Sequence, residues 1–153
     1  MLKMLINTLW RKINKNKNEK KFYEFLKEEC KELNFMGVKY YYVPGLEKHI
    51  ACNYKDIIMV SDDFYKLSTD TQLFTLMHEL GHKKLGHSED NKKSGLTKEF
   101  EADNYAAQRV GYAKAFQAMK EVEAFAAKEY NTTSNVFSVR MSAINEKSKQ
   151  ESR

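Results

Sequence analysis

This sequence predicts an α+β fold, mostly helical and built around a small sheet of three short strands. Three observations point that way. Apolar residues recur at intervals of three and four before position 34 and again beyond position 69, which is the spacing of one buried helix face. Between those stretches, residues 38–60 are rich in β-branched and aromatic side chains, which favour extended backbone. A single proline and 6 glycines interrupt few elements, and at 42% hydrophobic the 153 residues suffice to bury one core. One domain is expected throughout: N-terminal helices over 1–34, the sheet over 37–60, two helices over 69–86 and 97–110, and C-terminal helices over 112–150.

Taken in order, Leu2, Leu5, Ile6, Leu9 and Ile13 form the stripe of a short amphipathic helix, which packs on the body or lies on a partner or lipid surface. Lys12, Lys15, Lys17, Lys20 and Lys21, interleaved with asparagines, read as a solvated linker at least as well as a basic patch. Phe22, Phe25, Leu26, Glu29 and Leu33 continue as a second helix ending near Asn34 or Gly37. Val38 through Val43 then reads as a strand, closed by a Pro44-Gly45 turn. Residues 49–54 and 57–60 read as two more strands about a turn at Lys55-Asp56.

Thr69-Asp70-Thr71-Gln72 is a capping box, with Thr69 as the cap and Gln72 reaching back, and it opens a helix whose stripe is Leu73, Leu76, Met77 and Leu80. Gly81 allows close packing and Gly86 terminates that helix. Residues 88–95 are a polar loop. Ala113, Phe116, Met119, Val122 and Ala126 mark another packed helix, and Val136, Val139 and Ile144 mark a last one that frays over 147–153.

The chemistry concentrates in His78-Glu79-Leu80-Gly81-His82. On a helix the two imidazoles lie about 40° apart in rotation and about 6 Å apart along the axis, so both can reach one ion. Glu79 falls beside that face, within reach of a water in the open position of a tetrahedral zinc, where a general base belongs. With only 4 histidines in the chain, such a pattern arises by chance on the order of 1% of the time. The bland alternative is an amphipathic helix with two surface histidines.

Two imidazoles need a third protein ligand, normally a carboxylate, histidine or cysteine from elsewhere. Downstream, Glu99 and Asp103 stand four apart on one face of a helical stretch, so Glu99 can close the ligand set and Asp103 can accept the free ring N–H of a ligand histidine. Glu101 points about 200° away from Glu99. Read alone, this stretch would be an acidic solvated face. His87, about 140° round from His82 on a continued helix, is left out of the zinc set.

His78 to His82 followed by Glu99-Phe100-Glu101-Ala102-Asp103 resembles the gluzincin metallopeptidases. The stretch from His78 to His87 and the run from Glu99 to Ala106 are similar to HtpX-like peptidases and to the small soluble minigluzincins. Chain size and the lead-in Asp56 to Ser61 resemble the ImmA/IrrE peptidases. The resemblance spans about residues 37–145. It implies a zincin-like metallopeptidase domain with Zn2+ held by His78, His82 and Glu99, supported by Asp103. It also implies a sheet edge that pairs with an extended substrate through main-chain hydrogen bonds, with His49 nearby. HtpX-like enzymes carry a histidine ahead of a Ser/Arg pair near the domain end; here Arg140 matches the arginine and the histidine has no counterpart.

The expected activity is zinc-dependent endopeptidase hydrolysis of a protein or peptide substrate, with Glu79 as the base. Arg140, Tyr105 or Tyr112 is the candidate oxyanion donor, and spacing does not choose among them. The alternative class is a regulatory binding protein of the same fold, for example of a repressor, without efficient cleavage. The net charge of +5 is spread over the chain rather than gathered in a recognisable module, so no specific nucleic acid is expected. No stretch has the roughly 20 apolar residues of a membrane span, and Met1 to Trp10, with a broken apolar run, does not read as a signal peptide, so the expected location is cytoplasmic, with the N-terminal amphipathic helix available for peripheral membrane contact. Cys30 and Cys52 are read as reduced and packed rather than as one disulfide.

Overall fold

The computed structural model describes residues 19–153 except 47, 55, 56, 89 and 91. The expected helix through Leu2, Leu5, Ile6, Leu9 and Ile13, the lysines at 12, 15 and 17, and the Lys55-Asp56 turn lie outside the described residues. The chain divides into two compact units, Met1–Lys66 and Leu67–Arg153.

In the first unit, helix α1 (Glu19–Glu29) buries Phe22, Phe25 and Leu26, the stripe expected from spacing, together with Val43, Leu46 and Met59. Among the described residues the sheet has four strands rather than three: β1 (Lys31–Phe35), β2 (Val38–Tyr42), β3 (Ala51–Tyr54) and β4 (Ile57–Val60), in the order β1-β2-β4-β3. β1 occupies residues assigned above to the end of a helix. Its cause is a two-residue loop: Met36 and Gly37 both adopt left-handed backbone, with φ of 52° and 85°, and Asn34 Oδ1 accepts from Gly37 N–H at 3.0 Å. That turn geometry suits the twist of antiparallel strands and pairs Phe35 with Val38, so Leu33 faces Tyr40 across the ladder instead of extending the helical stripe. β2 and β4 run parallel while β3 pairs antiparallel with β4, which leaves β1 and β3 as the outer strands. Pro44-Gly45 turns the chain as expected, and a 3-10 turn over Asp62–Lys66 closes the unit.

The second unit is helical: α2 (Thr69–Lys84), α3 (Gly95–Val110), α4 (Tyr112–Glu129) and α5 (Asn135–Glu151). Its core joins Phe74, Met119 and Ile144 to four buried alanines, Ala106, Ala107, Ala115 and Ala118, whose small side chains let the helices approach closely. Val136 and Val139, expected in the stripe of the last helix, are exposed; Ile144 is buried, and Phe137 and Met141 pack beside it. α5 remains helical to Glu151 rather than fraying from 147.

Serines start three of these helices. Ser68, Ser94 and Ser134 sit in extended backbone and accept from the N–H groups of Thr71, Thr97 and Phe137 at 3.3, 3.1 and 3.4 Å. The cap of α2 is therefore Ser68, one residue before the Thr69 expected from the capping-box spacing. Glu121 on α4 decides this, because its carboxylate accepts from the Ser68 N–H at 2.8 Å, from the Ser68 hydroxyl at 2.7 Å and from the Thr71 hydroxyl. Gln72 reaches back to the carbonyl of Leu67, at 2.9 Å, and not to a backbone N–H. α2 and α3 meet at Gly81, where an added Cβ would stand 3.1 Å from the Cβ of Tyr105. Close packing at Gly81 is thus realised.

Replacing Ser68 by alanine is expected to lower the unfolding free energy by about 1 kcal/mol, whereas Thr69→Ala changes it by less than about 0.5 kcal/mol. Urea midpoints at constant m-value read both, and the reverse order would show that Thr69 is the true cap.

Candidate metal centre

α2 carries His78 and His82 one turn apart, and α3 brings Glu99 against them. His78 Nε2 lies 3.1 Å from His82 Nε2 and 3.3 Å from Glu99 Oε2, while His82 Nε2 lies 3.2 Å from Glu99 Oε1. Among the described residues these three form the group able to hold a metal ion, with their donor atoms all within 4.8 Å of one another. Donors held 2.0–2.1 Å from an ion at tetrahedral angles stand about 3.3 Å apart, so donors gathered this closely suit a small tetrahedral cation. Two imidazoles and a carboxylate suit a divalent metal of borderline softness.

The surrounding charge fits as well. Glu79, Glu99 and Asp103 place three carboxyl groups around the imidazoles, against the single guanidinium of Arg140. With the imidazoles neutral and the carboxylates ionised, two negative charges are left for a divalent cation to balance. Without the ion a proton takes part of that place: burial opposes charge on His78, but the Asp103 and Glu99 carboxylates outweigh it and raise its pKa to about 10. Glu99 is opposed by burial too, yet the two histidines and Arg140 hold it well below the usual carboxylate range. Glu79 goes the other way, since burial pushes its carboxyl up against the counteracting pull of His78, His82 and Arg140. A carboxyl of raised basicity beside such a cluster is better suited to accept a proton than an ordinary exposed carboxylate.

Asp103 is fully buried, accepts twice from Arg140 and lies against His78. Its Oδ1 lies 2.9 Å from His78 Nδ1 and takes the Arg140 Nη2–H at 2.8 Å, and its Oδ2 takes the Arg140 Nε–H at 2.7 Å. Burial opposes ionisation of Asp103, but these bonds prevail and its pKa is lowered. The remaining terminal nitrogen of Arg140, Nη1, is 3.1 Å from Glu99 Oε2. The guanidinium named above as a candidate oxyanion donor is therefore engaged by two carboxylates. Of the other candidates, Tyr112 donates to Asn104 Oδ1, and Tyr105 lays its ring against Gly81 beneath the Arg109 guanidinium.

Two residues set aside on spacing also gather here. α2 stops at Lys84 rather than continuing to 86, and Gly86, at φ 67°, turns the chain back so that His87 N–H meets His82 O at 3.0 Å and Gly86 N–H meets Lys83 O at 3.2 Å. This pair of bonds is the Schellman ending. It brings the His87 ring beneath His82, with Nδ1 2.8 Å from His82 Nδ1, and its Nε2 is 2.7 Å from Glu101 Oε2. A rotation of 140° round a continued helix does not describe His87 because the helix has already ended; the glycine just ahead of it was the available signal. His49 belongs to the first unit and lies exposed ahead of β3.

Comparison with known proteins gives a family but no individual relative: no curated protein and no solved structure shows a significant match. The family described as IrrE N-terminal-like domain, Peptidase_M78, matches residues 34–148, a span that includes His78, Glu79, His82, Glu99, Asp103 and Arg140. On that match, which covers most of its length, the chain belongs to the Peptidase_M78 family of IrrE N-terminal-like domains.

Proposed function

We propose that this protein is a zinc-dependent endopeptidase in which His78, His82 and Glu99 hold the ion and Glu79 is the general base. The observation that carries the reading is the convergence of His78 Nε2, His82 Nε2 and the Glu99 carboxylate, each imidazole nitrogen 3.2–3.3 Å from one of its two oxygens and 3.1 Å from the other nitrogen, with Glu79 next in sequence to His78. Membership of a peptidase family supports protein or peptide substrates. Among the described residues no helix is long and apolar enough to cross a membrane.

A zinc ion in such a site supplies Lewis acidity, polarising a carbonyl and lowering the pKa of water from 15.7 toward about 7. The remaining work falls to side chains. Glu79, its basicity raised by burial, accepts the proton of the attacking water and returns it to the departing amine. Asp103, 2.9 Å from His78 Nδ1, favours a proton there, so that Nε2 is the nitrogen that gives up its hydrogen when an ion is held. Arg140 is a positioning residue: it fixes Glu99 and Asp103 together and neutralises part of their charge. This replaces the oxyanion role considered from sequence.

Three outcomes test this reading. Glu79→Gln retains zinc at wild-type stoichiometry while cleavage of an unfolded protein or a peptide library falls at least about 100-fold; undiminished cleavage would sink the assignment of the base, and zinc binding without cleavage by the wild type would favour a binding protein instead. Because His78 holds its proton up to about pH 10 in the ion-free protein, zinc binding at pH 7 should release that proton, and affinity should rise with pH below 10. Calorimetry in buffers of different ionisation enthalpy counts the proton, and a count of zero contradicts the scheme. Arg140→Met should destabilise the ion-free protein by about 3 kcal/mol, because Asp103 remains buried without its partner; a loss under 1 kcal/mol by urea unfolding would show that the pair does not brace the site.

A further inference from the structure

His87 has no part in the reading above, yet it is among the few buried polar residues of the second unit, at 4% exposure. Both of its ring nitrogens are committed. Nδ1 faces His82 Nδ1 at 2.8 Å, and Nε2 faces Glu101 Oε2 at 2.7 Å. Glu101 is in turn held by Lys93 Nζ, 2.9 and 3.0 Å from its two oxygens. The contact with His82 is on the side of that ring away from the donor cluster, because His82 Nε2 is the atom that faces His78 and Glu99. His87 is thus not a fourth donor.

The proton positions along this row follow from one premise. If His82 Nε2 is a ligand it carries no hydrogen, so the neutral ring bears its hydrogen on Nδ1. Two facing Nδ1 atoms at 2.8 Å need one proton between them, so His82 donates and His87 accepts. His87 then bears its own hydrogen on Nε2 and donates it to Glu101. The row His82–His87–Glu101–Lys93 repeats, with one imidazole added, the row His78–Asp103–Arg140: in each, a ligand histidine gives its free N–H toward a carboxylate braced by a cation. The added ring has a structural cause. Asp103 on α3 reaches His78 directly, whereas Glu101 meets His82 only through the side chain that the Gly86 turn folds back.

We propose that His87, anchored by Glu101, is a positioning residue that fixes the tautomer and ring orientation of His82 and thereby sets the affinity of the site for a divalent metal. The inference rests on the proposed role of His82 as a ligand. Partners of ligand histidines typically contribute 10- to 100-fold to metal affinity, through ring orientation and raised basicity.

The test is the zinc dissociation constant of the full chain, measured by competition with a chromogenic chelator, beside the melting temperature of the ion-free protein. His87→Ala should weaken zinc binding about 10- to 100-fold, and Glu101→Ala, half-exposed and less disruptive to packing, by about 10-fold. His87→Asn, whose Oδ1 occupies nearly the position of the lost Nδ1, should recover much of the affinity. Nitrogen-15 spectra of the zinc-loaded imidazoles should show His82 protonated at Nδ1 and His87 at Nε2. If the wild type binds zinc but His87→Ala, or Glu101→Ala should the former not fold, binds it within about twofold, the proposal is overturned while the metal site stands. It is equally overturned if His87→Asn is as weak as His87→Ala and affinity merely tracks melting temperature. A wild type that binds no zinc removes both the proposal and the reading beneath it.

Discussion

A largely enclosed guanidinium between two carboxylates is the interaction on which the second unit depends. Arg140 reaches from α5 to Asp103 and Glu99 on α3, and Asp103 passes the contact on to His78 on α2. Burying these charges is unfavourable, and only the short two-pronged bond with its additional hydrogen bonds offsets that penalty. The same arrangement determines what the cluster can do. The Glu99 carboxylate is paired with a cation, and the His78 ring has the Asp103 carboxylate 2.9 Å from its rear nitrogen, so both are held in position without an ion. Such preorganisation is what a site needs if its donors are to keep a geometry tighter than ordinary side-chain freedom allows.

Helix endings contribute as much as helix faces. Ser68 starts α2 with its hydroxyl and amide both tied to Glu121, and Gly86 ends it with a left-handed residue that satisfies two orphan carbonyls. Between those ends lies the turn of helix that bears the two histidines. Gly81 lets Tyr105 of α3 sit close to α2, where a methyl group would stand only 3.1 Å from its Cβ and would require Tyr105 to shift by a few tenths of an ångström. The N-terminal cap, the close approach and the C-terminal turn each act on a different part of one helix. Together they bring the His78 and His82 rings to one point.

The first unit is organised by a different rule. Its parallel β2–β4 pairing is flanked by two antiparallel ladders, and the apolar side of the sheet closes on α1 through Met59, Val43 and the two phenylalanines of that helix. Among the described residues β1 and β3 lie at the two ends of the strand order.

Local spacing was enough to identify His78, Glu79 and His82 as a cluster and to put Glu99 and Asp103 on one face, because the period of a helix is set by its own backbone and needs no partner. The α+β class and most helices were legible for the same reason. β1 was not, since Leu33 fits the helical stripe and only the Met36-Gly37 turn and the ladder to β2 make that segment extended. Nor were Ser68 as the cap, the pairing of Arg140 with Asp103 and Glu99, or the row from His82 through His87 to Glu101. Each of these depends on a residue from another element or on a reversal of chain direction. The sequence by itself determined which residues share a helix face; only the tertiary structure decided which faces meet, because hydrogen bonds and ion pairs between distant segments are selected by the packing of the whole unit.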